Sequence, residues 1–230
     1  MMLGVGWALL EGQIGDNRPH SHVAHQVSLA LDGGFSVGGV QAMHFKSGDL
    51  ALIPAGLVHS VGPSGVFLRS LYVDPMFEGQ RDLAEKSELE CLPVFEAEAF
   101  AEVSSTEDVQ QWVQRFLCKE NVRQIDHRLH SALERLEAGT TPAELAQAVG
   151  VSTTRLREIA VRDFGVPATK LLQWLQIQRA IEAFVQTRNL ADAAAAGGFS
   201  DQAHFTRRLV EWFGVTPSLG LAQIDITIMR

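Results

Sequence analysis

The stretch Gly197-Gly198-Phe199-Ser200-Asp201-Gln202-Ala203-His204-Phe205-Thr206-Arg207, closed by Phe213-Gly214-Val215-Thr216-Pro217, decides how the second half of this chain is read. A glycine turn leads into Ser200, a residue suited to cap a helix, and then into Phe205, Leu209 and Trp212 at the spacing of one buried helix face. The same unit occurs earlier, where Gly150-Val151-Ser152 precedes Leu156, Ile159 and Ala160 and ends at Phe164-Gly165-Val166. Leu156 and Phe205, Ala160 and Leu209, Phe164 and Phe213, and Gly165 and Gly214 are each 49 positions apart. A short helix is predicted before each glycine, from Pro142 to Val149 and from Leu190 to Ala196, with Ala146 and Ala194 small where two helices must approach. A turn this short sets the second helix across the first, so each copy reads as a helix-turn-helix.

The outward faces follow from a rotation of about 100° per residue. With Leu156, Ile159 and Ala160 inward, Thr154, Arg157, Glu158 and Val161 turn outward; with Phe205, Leu209 and Trp212 inward, Gln202, Ala203, Thr206 and Arg207 do so. Arginine and glutamine carry the paired groups that match guanine and adenine edges. One such face is ordinarily just solvated. Two in tandem copies point to double-stranded DNA.

These segments, with Leu145-Ala146 at the start of the first copy, resemble the signature of AraC/XylS-type transcription regulators from about Ile125 to Leu219. Lys170 to Val185 is similar to that family's linker helix. The resemblance implies that base reading falls on Thr154, Arg157 and Glu158 in the first copy and on Gln202, Ala203 and Arg207 in the second. Glu158 stands where the family often has a cation, and Ala193 replaces a bulkier core residue.

The first half has a different texture. Short apolar runs (Val27 to Leu31, Leu50 to Ile53, Val66 to Tyr72) are broken by Gly33-Gly34, Gly38-Gly39, Gly56 and Gly62-Pro63-Ser64-Gly65, as expected of an all-β sandwich or barrel. His20-Ser21-His22, Gln26, and Gly48-Asp49 through Pro54-Ala55-Gly56 to His59 resemble the two motifs of the cupin superfamily. That resemblance implies a candidate metal site of His20, His22 and His59, with Gln26 at the position of a glutamate and His25 as a substitute. Imidazoles suit Zn, Ni, Co, Cu or Fe, whereas an amide is a poorer ligand than a carboxylate. The alternative is that these histidines line an organic ligand pocket.

The expected fold class is therefore α+β in two domains: a cupin-like β-barrel over residues 1–84, a helical connector over 85–124, and an all-α double helix-turn-helix over 125–230. In the connector, Val109, Trp112, Val113 and Phe116 form an apolar stripe, either the interface of a homodimer or a face packed on its own barrel.

At 230 residues, 46% apolar and 20% charged, the chain can bury two cores. Its net charge of −8 lies in residues 1–124, with eight Lys/Arg against sixteen Asp/Glu; residues 125–230 hold eleven of each. Phosphate affinity must then come from where the arginines stand, not from bulk charge. Cys91 and Cys118 have no partners at finger spacing, which argues against disulfides and structural zinc and leaves them as packing residues. The apolar opening Met1 to Leu10 is too short for a membrane span and lacks a basic leader, so a cytoplasmic protein without membrane contact is expected. Two functions fit: a regulator whose barrel senses a small molecule or metal ion, or a metal-dependent cupin enzyme, a dioxygenase or isomerase, carrying a DNA-binding tail. The regulator is favoured, and with it no catalysis, because a fused double helix-turn-helix needs a signal and Gln26 weakens a catalytic metal site.

Overall fold

The computed structural model describes residues 2–4, 6–13, 17–39, 42–77, 86–117, 125–217 and 227–228; Cys118 and the expected boundaries near residues 84 and 124 lie outside them. The chain forms two compact units, residues 1–121 with 209–230, and residues 122–208.

The first unit holds strands β1 (Met2–Gly4), β2 (Trp7–Gln13), β3 (His25–Ala30), β4 (Phe35–Gly38), β5 (Met43–Phe45), β6 (Leu50–Ile53), β7 (Ser60–Gly62), β8 (Phe67–Val73), β9 (Glu90–Leu92) and β10 (Thr227–Ile228), with helices α1 (Val94–Ala101) and α2 (Thr106–Phe116). The three expected strands are β3, β6 and β8. One sheet runs β10-β1-β2-β8-β3-β6-β9 and a smaller one β5-β4-β7. Pairing is antiparallel except between β1 and β10. Among the described residues, hydrogen bonding does not close these sheets into the expected barrel. The glycine clusters beside β4, β5 and β7 leave strands of three or four residues, too short to extend the ladder around a barrel.

Alternation along the central strands separates two cores. Val27 and Leu29 of β3, Leu50 and Leu52 of β6, and Leu71 and Val73 of β8 face α1 and α2, where Phe100 and Trp112 pack. Ala30, Ala51, Ile53 and Leu68 join Phe35, Val37, Phe45 and Val61 of the smaller sheet. Gln26 and Ser28 on β3, and Ser70 on β8, alternate with the first set and are buried.

Helix α2 begins with a capping box in which Ser105 Oγ accepts from the Asp108 amide and Asp108 accepts from the Ser105 amide. Its Val109, Trp112 and Val113 are buried in their own unit's core; Trp112 Nε1 donates to the Glu96 carbonyl, and Phe116 packs partly buried beside Trp112. Cys91, expected to pack inside, is exposed, because β9 is the edge strand of its sheet.

The second unit contains α3 (His127–Glu134), α4 (Pro142–Val149), α5 (Thr153–Phe164), α6 (Ala168–Thr187), α7 (Leu190–Gly197) and the start of α8 (Gln202–Phe213). Helix α4 opens with a Thr141–Glu144 capping box and ends at Gly150, whose φ of 75° only glycine adopts without strain. Ser152 then caps α5 by accepting from the Arg155 amide. In the second copy Asn189 caps α7, and Gly198, also at φ 75°, ends it. Helices α6 and α7 lie so close that a side chain on Gly197 would meet the Gln176 carbonyl at 2.6 Å. The small residues Ala193 and Ala194 are buried there.

One capping expectation is corrected. Asp201, not Ser200, caps α8: its Oδ1 accepts from the His204 amide at 2.6 Å, while the Ser200 hydroxyl donates to Asp201 Oδ2. A carboxylate is the stronger acceptor and is also favoured by the helix dipole.

Candidate functional site

The reading faces lie where rotation about the two helices places them. On α5, Leu156, Ile159 and Ala160 are buried while Thr154, Arg157, Glu158 and Val161 are exposed. On α8, Phe205, Leu209 and Trp212 are buried while Gln202, Ala203 and Arg207 are exposed and Thr206 is half-buried. Glu158 is engaged by Arg155, whose Nη1 donates to it at 2.8 Å, so its charge is answered within the helix and Arg157 stays at the exposed face. Asp163, buried at the base of α5, takes a fork from Arg162 and accepts from the Asp126 amide, tying α3 to the helix-turn-helix.

The second site is built from the segment before β3 and the residue just before β7. His20 and His59 exchange both backbone hydrogen bonds, at 2.9 Å each, in a bridge outside the named strands. This places three imidazoles together: ring centroids are 4.3 Å apart for His20 and His59, 5.1 Å for His22 and His59, and 5.8 Å for His20 and His22. One nitrogen from each lies within 4.8 Å of the others, and all three residues are buried.

Their tautomers follow from their partners. Nδ1 of His20 faces the Arg18 carbonyl at 2.8 Å, Nδ1 of His22 the Ala24 carbonyl at 2.7 Å, and Nδ1 of His59 the Leu57 carbonyl at 2.9 Å. A carbonyl only accepts, so each Nδ1 carries the proton and each Nε2 keeps a lone pair. Nε2 of His59 is buried and has no hydrogen-bond partner. Burial, then the charges of His59 and His20, depress His22 to about 3, and burial followed by His20 depresses His59 to about 4. His20 is also lowered by burial. The neutral, electron-pair-donating forms are thus favoured.

Gln26 reaches the cluster through its amide oxygen, 3.2 Å from His22 Nε2. Its Nε2 donates to Ser28 Oγ at 2.9 Å, and Ser28 and Ser70 share a 2.8 Å hydroxyl contact between β3 and β8, where they are paired in register. In this orientation two acceptors face each other, an arrangement relieved by a cation between them or by rotating the amide. His25 does not join the cluster: its Nδ1 accepts from the Ala55 amide at 3.2 Å. Sequence reasoning missed Ser28, Ser70 and Tyr72, whose ring stands edge-on to His22 at 5.3 Å. The available signal was the run of polar side chains on one face of otherwise apolar β3. Phe213, in the first unit, lies 6.2 Å from His22 and 5.9 Å from Tyr72, and the Arg18 amide donates to the Gly214 carbonyl at 3.2 Å.

The family model described as a helix-turn-helix domain matches residues 145–219. Among solved structures, the chain is similar to ToxT from Vibrio cholerae O395 (TM-score 0.63, 10% identity, covering 93% of this chain and 96% of ToxT). It is similar also to unsaturated fatty acid bound wild-type ToxT from Vibrio cholerae strain SCE256 (TM-score 0.58, 9% identity, 92% and 93% covered). At such identity the likeness is one of fold. Comparison with curated protein sequences finds no match. Among the described residues no helix is long and apolar enough to cross a membrane.

Proposed function

We propose that the chain is an AraC/XylS-type DNA-binding transcription regulator whose first unit makes DNA binding answer to a small ligand held by His20, His22 and His59. The observation that carries the ligand reading is Nε2 of His59, a buried lone pair without a partner, set among two more imidazoles in the same tautomer. A buried acceptor left unsatisfied costs about 1–3 kcal/mol. A divalent transition ion, Zn, Ni, Co, Cu or Fe, would satisfy all three nitrogens at once, and their Nδ1–H···O=C bonds are the supports that hold metal-binding imidazoles in place. An organic effector is the second reading, favoured by the fold shared with a ToxT crystallised with an unsaturated fatty acid.

We read strands β1 to β8 as a cupin-like sensor, residues 1–84, followed by a connector over 85–124 and the DNA-binding part over 125–230, in a cytoplasmic homodimer. Buried Val109, Trp112 and Val113 leave Phe116, with exposed Phe95 beside it at 5.9 Å, as the apolar surface of α2 for a second copy. A sensor is preferred to an enzyme because Gln26 supplies an amide where the cupin pattern has a carboxylate.

On DNA, helices α5 and α8 each read one major groove, so one protomer covers about two helical turns with its two segments roughly 10 bp apart. Selection from a random duplex library by the full chain tests this. The expected product is a non-palindromic site per protomer, and Arg207→Ala should relax preference at one base pair by about 1–3 kcal/mol. Equal weakening on every sequence would make Arg207 a phosphate contact and overturn its base-reading role.

A further inference from the structure

We infer that the three-histidine pocket takes a divalent ion together with a small anion, so that the effector is the pair; this rests on the reading of the three histidines as ion ligands. The inference is one of charge balance. Every donor gathered at the pocket is neutral: three imidazole nitrogens whose Nδ1 protons are committed to the carbonyls of Arg18, Ala24 and Leu57, and the amide oxygen of Gln26. Among the described residues no carboxylate or thiolate joins the three histidines. The residues are buried, and His22 is flanked by the aromatic ring of Tyr72. An ion bound there by neutral groups alone would keep its full double charge away from water, and an uncompensated buried charge is strongly unfavourable. Attraction to an anion at contact distance is correspondingly large where the surroundings screen poorly.

Gln26 is the residue that creates this requirement. In the orientation present, the amide nitrogen donates to Ser28 Oγ, itself paired with Ser70 across the in-register strands β3 and β8, and the oxygen faces His22. A glutamate of the same length at this position would deliver a negative charge to the same point. The glutamine delivers only a dipole, leaving the charge balance to an external anion of carboxylate or azide type.

Cobalt(II) titration of the metal-free full chain near pH 7, followed by its visible absorption and by calorimetry, tests this with acetate and azide as the anions. Affinity should rise about tenfold or more when either anion is present, and the absorption bands should shift as the anion enters the coordination shell. The Gln26→Glu variant should bind cobalt without added anion at least as tightly as the natural chain does with it. If the natural chain binds cobalt equally with and without both anions and Gln26→Glu is no tighter, the inference is overturned while the ion reading stands. If the natural chain binds no cobalt in any of these conditions, the ion reading is wrong and the inference falls with it.

Discussion

His20 and His59 are joined by their backbones, each amide donating to the other's carbonyl at 2.9 Å, so the bridge that gathers the imidazoles does not depend on the imidazoles themselves. Substitution should therefore remove the ligands and keep the bridge. A His22→Ala, His59→Ala chain is expected to lose stoichiometric ion by elemental analysis while retaining its far-ultraviolet circular dichroism. Stoichiometric ion retained in that chain would place the metal elsewhere.

Acid should destabilise the metal-free protein through His22 and His59 of the cluster and through buried His25. His22, His25 and His59 have folded pKa values of about 3, 4 and 4, depressed chiefly by burial, against 6.5 when unfolded. Below pH 6.5 the unfolded chain binds protons that the folded one refuses, so stability falls with decreasing pH until the folded values are reached. The slope is roughly 1.4 kcal/mol per pH unit for each histidine. Urea unfolding of chelator-treated protein at pH 7 and pH 5 measures it, and equal midpoints would show that these histidines are not buried as neutral groups.

The cap of α8 falls on Asp201, where the sequence pointed to its neighbour Ser200. Asp201→Ala removes the acceptor for the His204 amide and should cost about 1 kcal/mol, whereas Ser200→Ala should cost only a few tenths. Thermal unfolding of the two variants decides, and a larger loss in Ser200→Ala would reverse the assignment.

Trp112 is packed against Phe100, with ring centroids 4.9 Å apart, inside its own unit. Trp112→Ala should then destabilise that unit by about 3–5 kcal/mol, whatever the state of association. A variant that kept full stability and became monomeric in sedimentation would instead put this side chain at a dimer interface.

The elements legible in the sequence were those whose signals are local. The 49-residue displacement, the turn glycines Gly150 and Gly198, and the helical spacing of Leu156, Ile159 and Ala160 located both helix-turn-helix copies to within a residue or two. The motif histidines were legible for the same reason. Strand order was not, because β2 pairs with β8 and β3 with both β8 and β6 across long chain separations that alternation does not encode. The Ser28–Ser70 contact depends on that register and was hidden with it. The stripe on α2 was visible as apolar, but periodicity alone does not say whether such a face meets its own sheet or another chain.

The central claim is that occupation of the histidine pocket changes DNA binding, and the most direct test is the affinity of the full chain for a selected duplex at fixed salt, with the pocket loaded or chelated. Loading with a divalent transition ion in the presence of acetate should shift the affinity several-fold in the natural chain and leave the His22→Ala, His59→Ala chain unchanged. Equal affinity of the loaded and chelated natural chain, with ion binding verified in the same samples, would contradict the account.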